Sequence, residues 1–100
     1  MERFESQRLD TVFDALSNGE RRRMVQYLTE ATDGTATVEE LAALGDDPTQ
    51  SKVRLRHIHL PRLSATKVVE YDERSETVRY RGSPFLERVL DCCLEHDQAR

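Results

Sequence analysis

Between Lys67 and Arg81 the spacing of apolar residues changes from that of a helix to that of a strand. "KVVEYD" and "TVRYR" are rich in β-branched and aromatic residues and are joined by the polar tetrad "ERSE". This is the pattern of two short strands meeting in a hairpin, at about 67–72 and 77–81. An isolated hairpin is marginal in water, so the remainder of the chain has to cover one of its faces, and the remainder reads as helix.

In "RLDTVFDALS" the residues Leu9, Val12, Phe13 and Leu16 recur three and four apart, which predicts a helix over about 9–17. "ERRRMVQYLTEA" repeats the pattern with Met24, Val25, Tyr27, Leu28 and Ala31, predicting a helix over 19–31. Ser17 and Glu20 read as a capping box at its start, and Gly34 supplies a left-handed residue after its end. Thr37 and Glu40 form a second capping box before "VEELAAL", a helix over 38–44. Asp47 followed by Pro48 reads as the cap and first residue of a helix over 48–64 that bends near Pro61. Ser83 and Pro84 open the last helix, 84–95, which carries Phe85, Leu86, Val89, Leu90, Cys93 and Leu94.

The expected fold is mostly α with a small β-hairpin wing. "GDDP" has the length of the turn in a helix-turn-helix, and a hairpin directly after the second helix of such a pair is a wing. The order of elements predicts a winged helix-turn-helix, one domain spanning the 100 residues.

Hydrophobic residues make up 37% and charged residues 34% of the chain, so the core is thin and a partner would usefully bury more apolar surface. No apolar run approaches the roughly 18 residues of a membrane span, and "MERFESQRLD" lacks the apolar stretch of a secretory leader. A cytoplasmic protein is expected. Cys92 and Cys93 are adjacent, and in a helix their side chains diverge too far for a disulfide; they are read as reduced thiols, either small apolar residues or a redox-sensitive pair. His57 and His59, two apart, cannot point at one ion from a regular helix. No metal or cofactor is expected, and with no nucleophile–base set and no glycine-rich phosphate loop, neither is an enzyme.

Two stretches carry a family likeness. "LDTVFDALSNGERRRMVQYL" resembles the opening of small prokaryotic winged-helix regulators of the ArsR type, and "HLPRLSATKVVEYDERSETVRY" resembles their wing segment, in the right order and spacing. The "HLPxL…VxEYD" version is similar to acidic winged-helix domains common in halophilic archaea. The likeness covers about residues 9–95. It implies a homodimeric transcriptional regulator that binds duplex DNA through the 48–64 helix and the wing. The sequence departs from the pattern at Lys67, where the family usually has glycine before the wing strand, at Pro61, and in lacking the family's metal-binding cysteines.

The residues of the 48–64 helix suit that implication. On a regular wheel Gln50, Arg54, His57 and Pro61 share one polar stripe, and Lys52, Arg56 and His59 share another. Val53 and Leu60 lie on one flank, Leu55 and Ile58 on the other. Thr49, Gln50 and Lys52 would enter a major groove first, followed by Arg54, Arg56 and His57. Arginine reads guanine and glutamine reads adenine in bidentate fashion. Arg74 at the tip of the wing and Arg79 on its second strand are the expected backbone contacts. The blander alternative has Arg54 and Arg56 in ion pairs with acids of the preceding helix and the wing. The run Arg21–Arg22–Arg23 opposes the dipole of its own helix, which suggests pairing with Asp10 and Asp14 or contact with phosphate.

The net charge of −4, with two lysines against thirteen arginines, fits a protein soluble in concentrated salt. It also weighs against phosphate attraction at ordinary salt. The alternative function is therefore a winged-helix module for protein interaction or dimerisation that leaves DNA alone. In either case a homodimer is expected, held by Leu9 and Phe13 of the first helix and Phe85, Leu86, Val89, Leu90 and Cys93 of the last.

Overall fold

The computed structural model describes the backbone of residues 2–98 and the side chains of 9–96. In chain order the elements are α1 (Glu2–Leu16), α2 (Gly19–Glu30), β1 (Thr35–Thr37), α3 (Val38–Ala42), α4 (Pro48–Arg54), a π turn (Leu55–His59), α5 (Leu60–Ala65), β2 (Val69–Asp72), β3 (Thr77–Tyr80) and α6 (Pro84–Gln98). The protein is mostly helical, with one three-stranded antiparallel sheet in the order β1-β3-β2. Among the described residues no helix is long and apolar enough to cross a membrane.

Helix starts follow the local cap chemistry. The Thr37 hydroxyl accepts from the Glu40 amide while the Glu40 carboxylate accepts from the Thr37 amide, a complete capping box. Asp47 accepts from the amides of Thr49 and Gln50 ahead of Pro48, and the Ser83 hydroxyl accepts from the Leu86 amide. The cap of α2 is a correction: Asn18, and not Ser17, accepts from the amides of Glu20 and Arg21. Ser17 instead donates to the Asp14 carbonyl. A second correction is the start of α1, which begins at Glu2 rather than near residue 9. "ERFESQR" contains good helix formers but little apolar periodicity, so propensity extends the helix beyond the pattern. In the same way α6 runs past residue 95 to Gln98, while α3 stops at Ala42, short of 44.

The hairpin lies where its period placed it, but it is not alone. β1 pairs with β3 on the side away from β2, with Ala36 opposite Val78 and Thr37 opposite Thr77. On the other side Tyr71 faces Val78 and Glu70 faces Arg79. Val78 is fully buried at the centre of the sheet. Lys67 stands just before β2 at φ 63. A lysine thus occupies the left-handed conformation that glycine adopts without strain, at the position where the family likeness has glycine.

One core joins the layers: Val12, Ala15 and Leu16 of α1, Met24, Val25 and Leu28 of α2, Val38 and Leu41 of α3, Leu55, Leu60 and Leu63 of the 48–65 helix, Val69 and Val78 of the sheet, and Leu86 and Leu90 of α6. The expected interface role of Leu86 and Leu90 is thereby overturned, because they are 0% and 2% exposed within their own chain. Leu9 and Phe13 are exposed, and Phe85, Val89 and Cys93 are partly buried.

α4, the π turn and α5 form one continuous helix, 48–65. The bend expected near Pro61 takes the form of the π turn immediately before it, where the Leu60 amide donates to the Leu55 carbonyl. Pro61 has no amide to donate. The wider turn also rephases the side chains, so the regular wheel fails beyond Leu55. His59 is 2% and Leu60 3% exposed, whereas Val53 and Ile58 are 49% and 45% exposed.

Candidate nucleic-acid interface

Three sides of the 48–65 helix are held. Its inner face, Ser51, Leu55, His59, Leu60 and Leu63, is buried. The turn before it packs tightly: a side chain at Gly45 would place its first carbon 2.2 Å from the Ser51 hydroxyl. On one flank Lys52 pairs with Glu39 of α3, and Arg56 pairs with Glu76 at the end of the hairpin turn. On the other flank Arg54 pairs with Glu20 of α2, and Arg62 donates to Asp14 of α1 at 3.0 Å.

The Arg54 pair is a fork. Its Nε lies 2.9 Å from Glu20 Oε1 and its Nη2 lies 2.8 Å from Oε2. Glu20 Oε1 also accepts from His59 Nε2 at 3.0 Å. The other ring nitrogen, Nδ1, lies 3.3 Å from Arg21 Nη1. A guanidinium can only donate, so Nδ1 accepts and the ring proton sits on Nε2, facing Glu20. These contacts, Arg54 first and His59 second, pull the Glu20 carboxyl from its ordinary 4.5 down to about 2. Arg21, buried and therefore easier to deprotonate than usual, does not pair with an acid side chain as expected. Its Nε and Nη2 donate to the carbonyls of Ala15 and Asp14, and Arg22 donates to that of Leu16. Arg21 and Arg22 thus help close the end of α1, while Arg23 donates to the Leu44 carbonyl.

Between the two flanks the helix turns Thr49, Gln50, Val53, His57 and Pro61 outward, all exposed. Of the expected contact residues, Thr49, Gln50 and His57 therefore lie on the open face. Lys52, Arg54 and Arg56 do not: each is tied to a carboxylate on another element, the blander of the two readings. Arg54 in particular is a strut between this helix and α2, which corrects its place beside Gln50 and His57. Arg74 is exposed in the hairpin turn, where its amide donates to Asp72. Arg79 is exposed on β3 across from Glu70, which also accepts from Arg81.

A groove of about 310 Å³ runs between α3 and the 48–65 helix, lined among others by Glu39, Ala42, Lys52, Val53, Arg56 and His57. Sequence reasoning missed Val53 as an outward residue, and it did not single out Glu39 or Glu76. The helical spacing was the available signal for the first, since a residue two positions from both Ser51 and Leu55 faces away from them when they are buried.

Residues 45–79, from the glycine of the turn to the middle of β3, match a family model described as a domain of unknown function, DUF7344. No curated protein and no solved structure matches the chain.

Proposed function

We propose that the protein is a winged helix-turn-helix regulator that binds duplex DNA as a homodimer. In this reading α3 and the 48–65 helix are the helix-turn-helix, and β2–β3 is the wing. One observation carries it: a helix fixed on its inner face and both flanks presents an outward stripe of Thr49, Gln50, Val53 and His57. Glutamine reads adenine, valine fits against the thymine methyl, and histidine and threonine bond to base edges or phosphate. Rigid support is what positions such side chains for readout. Arg74 then meets the backbone from the wing. Leu9 and Phe13, exposed on α1, with Phe85, Val89 and Cys93 of α6, form the surface for the second copy. Pairing there would set the two reading helices toward successive major grooves, about 34 Å apart.

Selection of bound duplexes from a random pool tests the reading. A defined motif should emerge. Gln50→Ala and His57→Ala should each relax one position of it by about 1–3 kcal/mol, while Arg74→Ala weakens all sequences alike. Enrichment of no motif and no duplex binding at low or high salt would remove DNA from the function.

The charge balance favours a second reading, a protein-interaction module. The hairpin turn sets Asp72, Glu73 and Glu76 against Arg74 alone, and the turn before α4 carries Asp46 and Asp47. On that reading the same outward stripe docks on another protein.

A further inference from the structure

Lys52 and Arg56 lie one turn apart on one flank of the 48–65 helix, beside the groove described above. Each is occupied by a carboxylate from a different element, Glu39 from α3 and Glu76 from the hairpin turn. The backbone from which Glu76 reaches Arg56 is itself fixed. Glu76 is held at φ 52, a conformation a glutamate adopts only under constraint. Its carbonyl accepts the Val38 amide at 2.9 Å, which fixes the residue against the start of α3. All four paired side chains remain substantially exposed, between 31% and 71%, so the pairs sit in water and a competing anion can replace either carboxylate. Thr49, Lys52, Arg56 and His57 all border the groove, a donor set suited to phosphate oxygens.

Building on the DNA reading, we propose that Glu39 and Glu76 are guards. They neutralise Lys52 and Arg56 until a phosphate seated in this groove displaces them, so binding here proceeds by exchange of carboxylate for phosphate. The exchange has an ionic signature. Two cations that meet DNA bare release counterions and add roughly two units to the log–log salt slope. Two cations that arrive already paired release the same counterions from the DNA, but only by giving up their carboxylates. The displaced carboxylates, left beside a phosphate, take up cations instead. The contribution of these contacts to the salt slope is therefore near zero, and the guarded face loses little affinity as salt rises.

The test compares the wild type with Glu39→Gln, Glu76→Gln and the double variant; glutamine keeps the shape and removes the charge. Fluorescence anisotropy follows a labelled mixed-sequence duplex over a decade of potassium chloride, and amide spectra follow inorganic phosphate added to the same proteins. Those spectra also report that each variant is folded. The double variant should bind the duplex about tenfold or more tightly at low salt, with a slope steeper by roughly two units. Phosphate should shift the Lys52 and His57 amides at lower concentration than in the wild type. Adding Lys52→Ala and Arg56→Ala should abolish both gains. Duplex affinity and slope unchanged by the glutamines would overturn the guard role. If no protein binds duplex but the phosphate titrations still separate variant from wild type, the guarded anion groove stands and the DNA reading falls. If neither separates them, both fall.

Discussion

At the scale of single residues, His59 is the most deeply buried of the polar side chains among the described residues. It is 2% exposed, with Arg21 on one ring nitrogen and Glu20 on the other. Removing Glu20 strands the buried Nε2 proton, and an unpaired buried donor costs about 1–3 kcal/mol. Glu20→Ala should therefore lower stability near neutral pH by an amount in that range. The gap has a defined pH dependence. The Glu20 carboxyl titrates near 4.5 when unfolded and at about 2 when folded, so its contribution is complete above 4.5 and fades as the pH falls toward 2. Urea unfolding of both proteins through the acid range checks this, and a gap that stays constant or widens on acidification refutes it. None of this network was legible in the sequence. The regular helical period put His59 on a polar stripe with Lys52 and Arg56, and nothing in it says that the ring turns inward to meet an arginine from α2 and a carboxylate beside it. What was legible was chemistry confined to neighbours in the chain, such as the Thr37–Glu40 box and the Asp47–Pro48 and Ser83–Pro84 starts.

At the scale of elements, the 48–65 helix shows how one irregular turn decides which residues read outward. Pro61 announced a bend, but the form it takes, a π turn from Leu55 to His59, moves His59 and Leu60 inward and leaves Ile58 exposed. The open stripe was thus mostly legible: Thr49 and Gln50 precede the change of phase and His57 survives it, whereas Val53, also ahead of it, was read onto a flank although it lies opposite the buried Ser51 and Leu55. The phase is open to measurement. Leu60→Ala should cost about 2–5 kcal/mol, as truncation of a buried leucine does. Val53→Ala and Ile58→Ala should stay within about 0.5 kcal/mol. Comparable losses at Leu60 and Val53 in denaturant unfolding would mean that the helix runs straight. β1 escaped the sequence for another reason: three residues, "TAT", carry too little pattern to mark a strand whose partner lies on the far side of the 48–65 helix in the chain.

At the scale of the whole molecule, α6 divides its apolar residues between fully buried and partly buried positions, a division the sequence could not make. Leu86 and Leu90 close the core, so Leu90→Ala should destabilise each protomer by about 2–5 kcal/mol instead of merely parting a dimer. Phe13, 52% exposed on α1, is the cleaner probe. Sedimentation should find the wild type dimeric at low and high salt and Phe13→Arg monomeric, with a stability change within about 0.5 kcal/mol; a monomeric wild type would end the dimer proposal. The pairing of β1 with β3 has a consequence for the order in which this architecture assembles. Thr37 meets Thr77 only after everything from α3 to the hairpin has been drawn into a closed loop, and closing a long loop is entropically slower than winding a local helix. The helices can form early and the sheet locks last. By the same route run backwards, the pairing of β1 with β3 that forms last is the first to open. When β1 peels away, the Glu76 carbonyl loses the Val38 amide, so the residue that restrains Arg56 is released by the first step of unravelling.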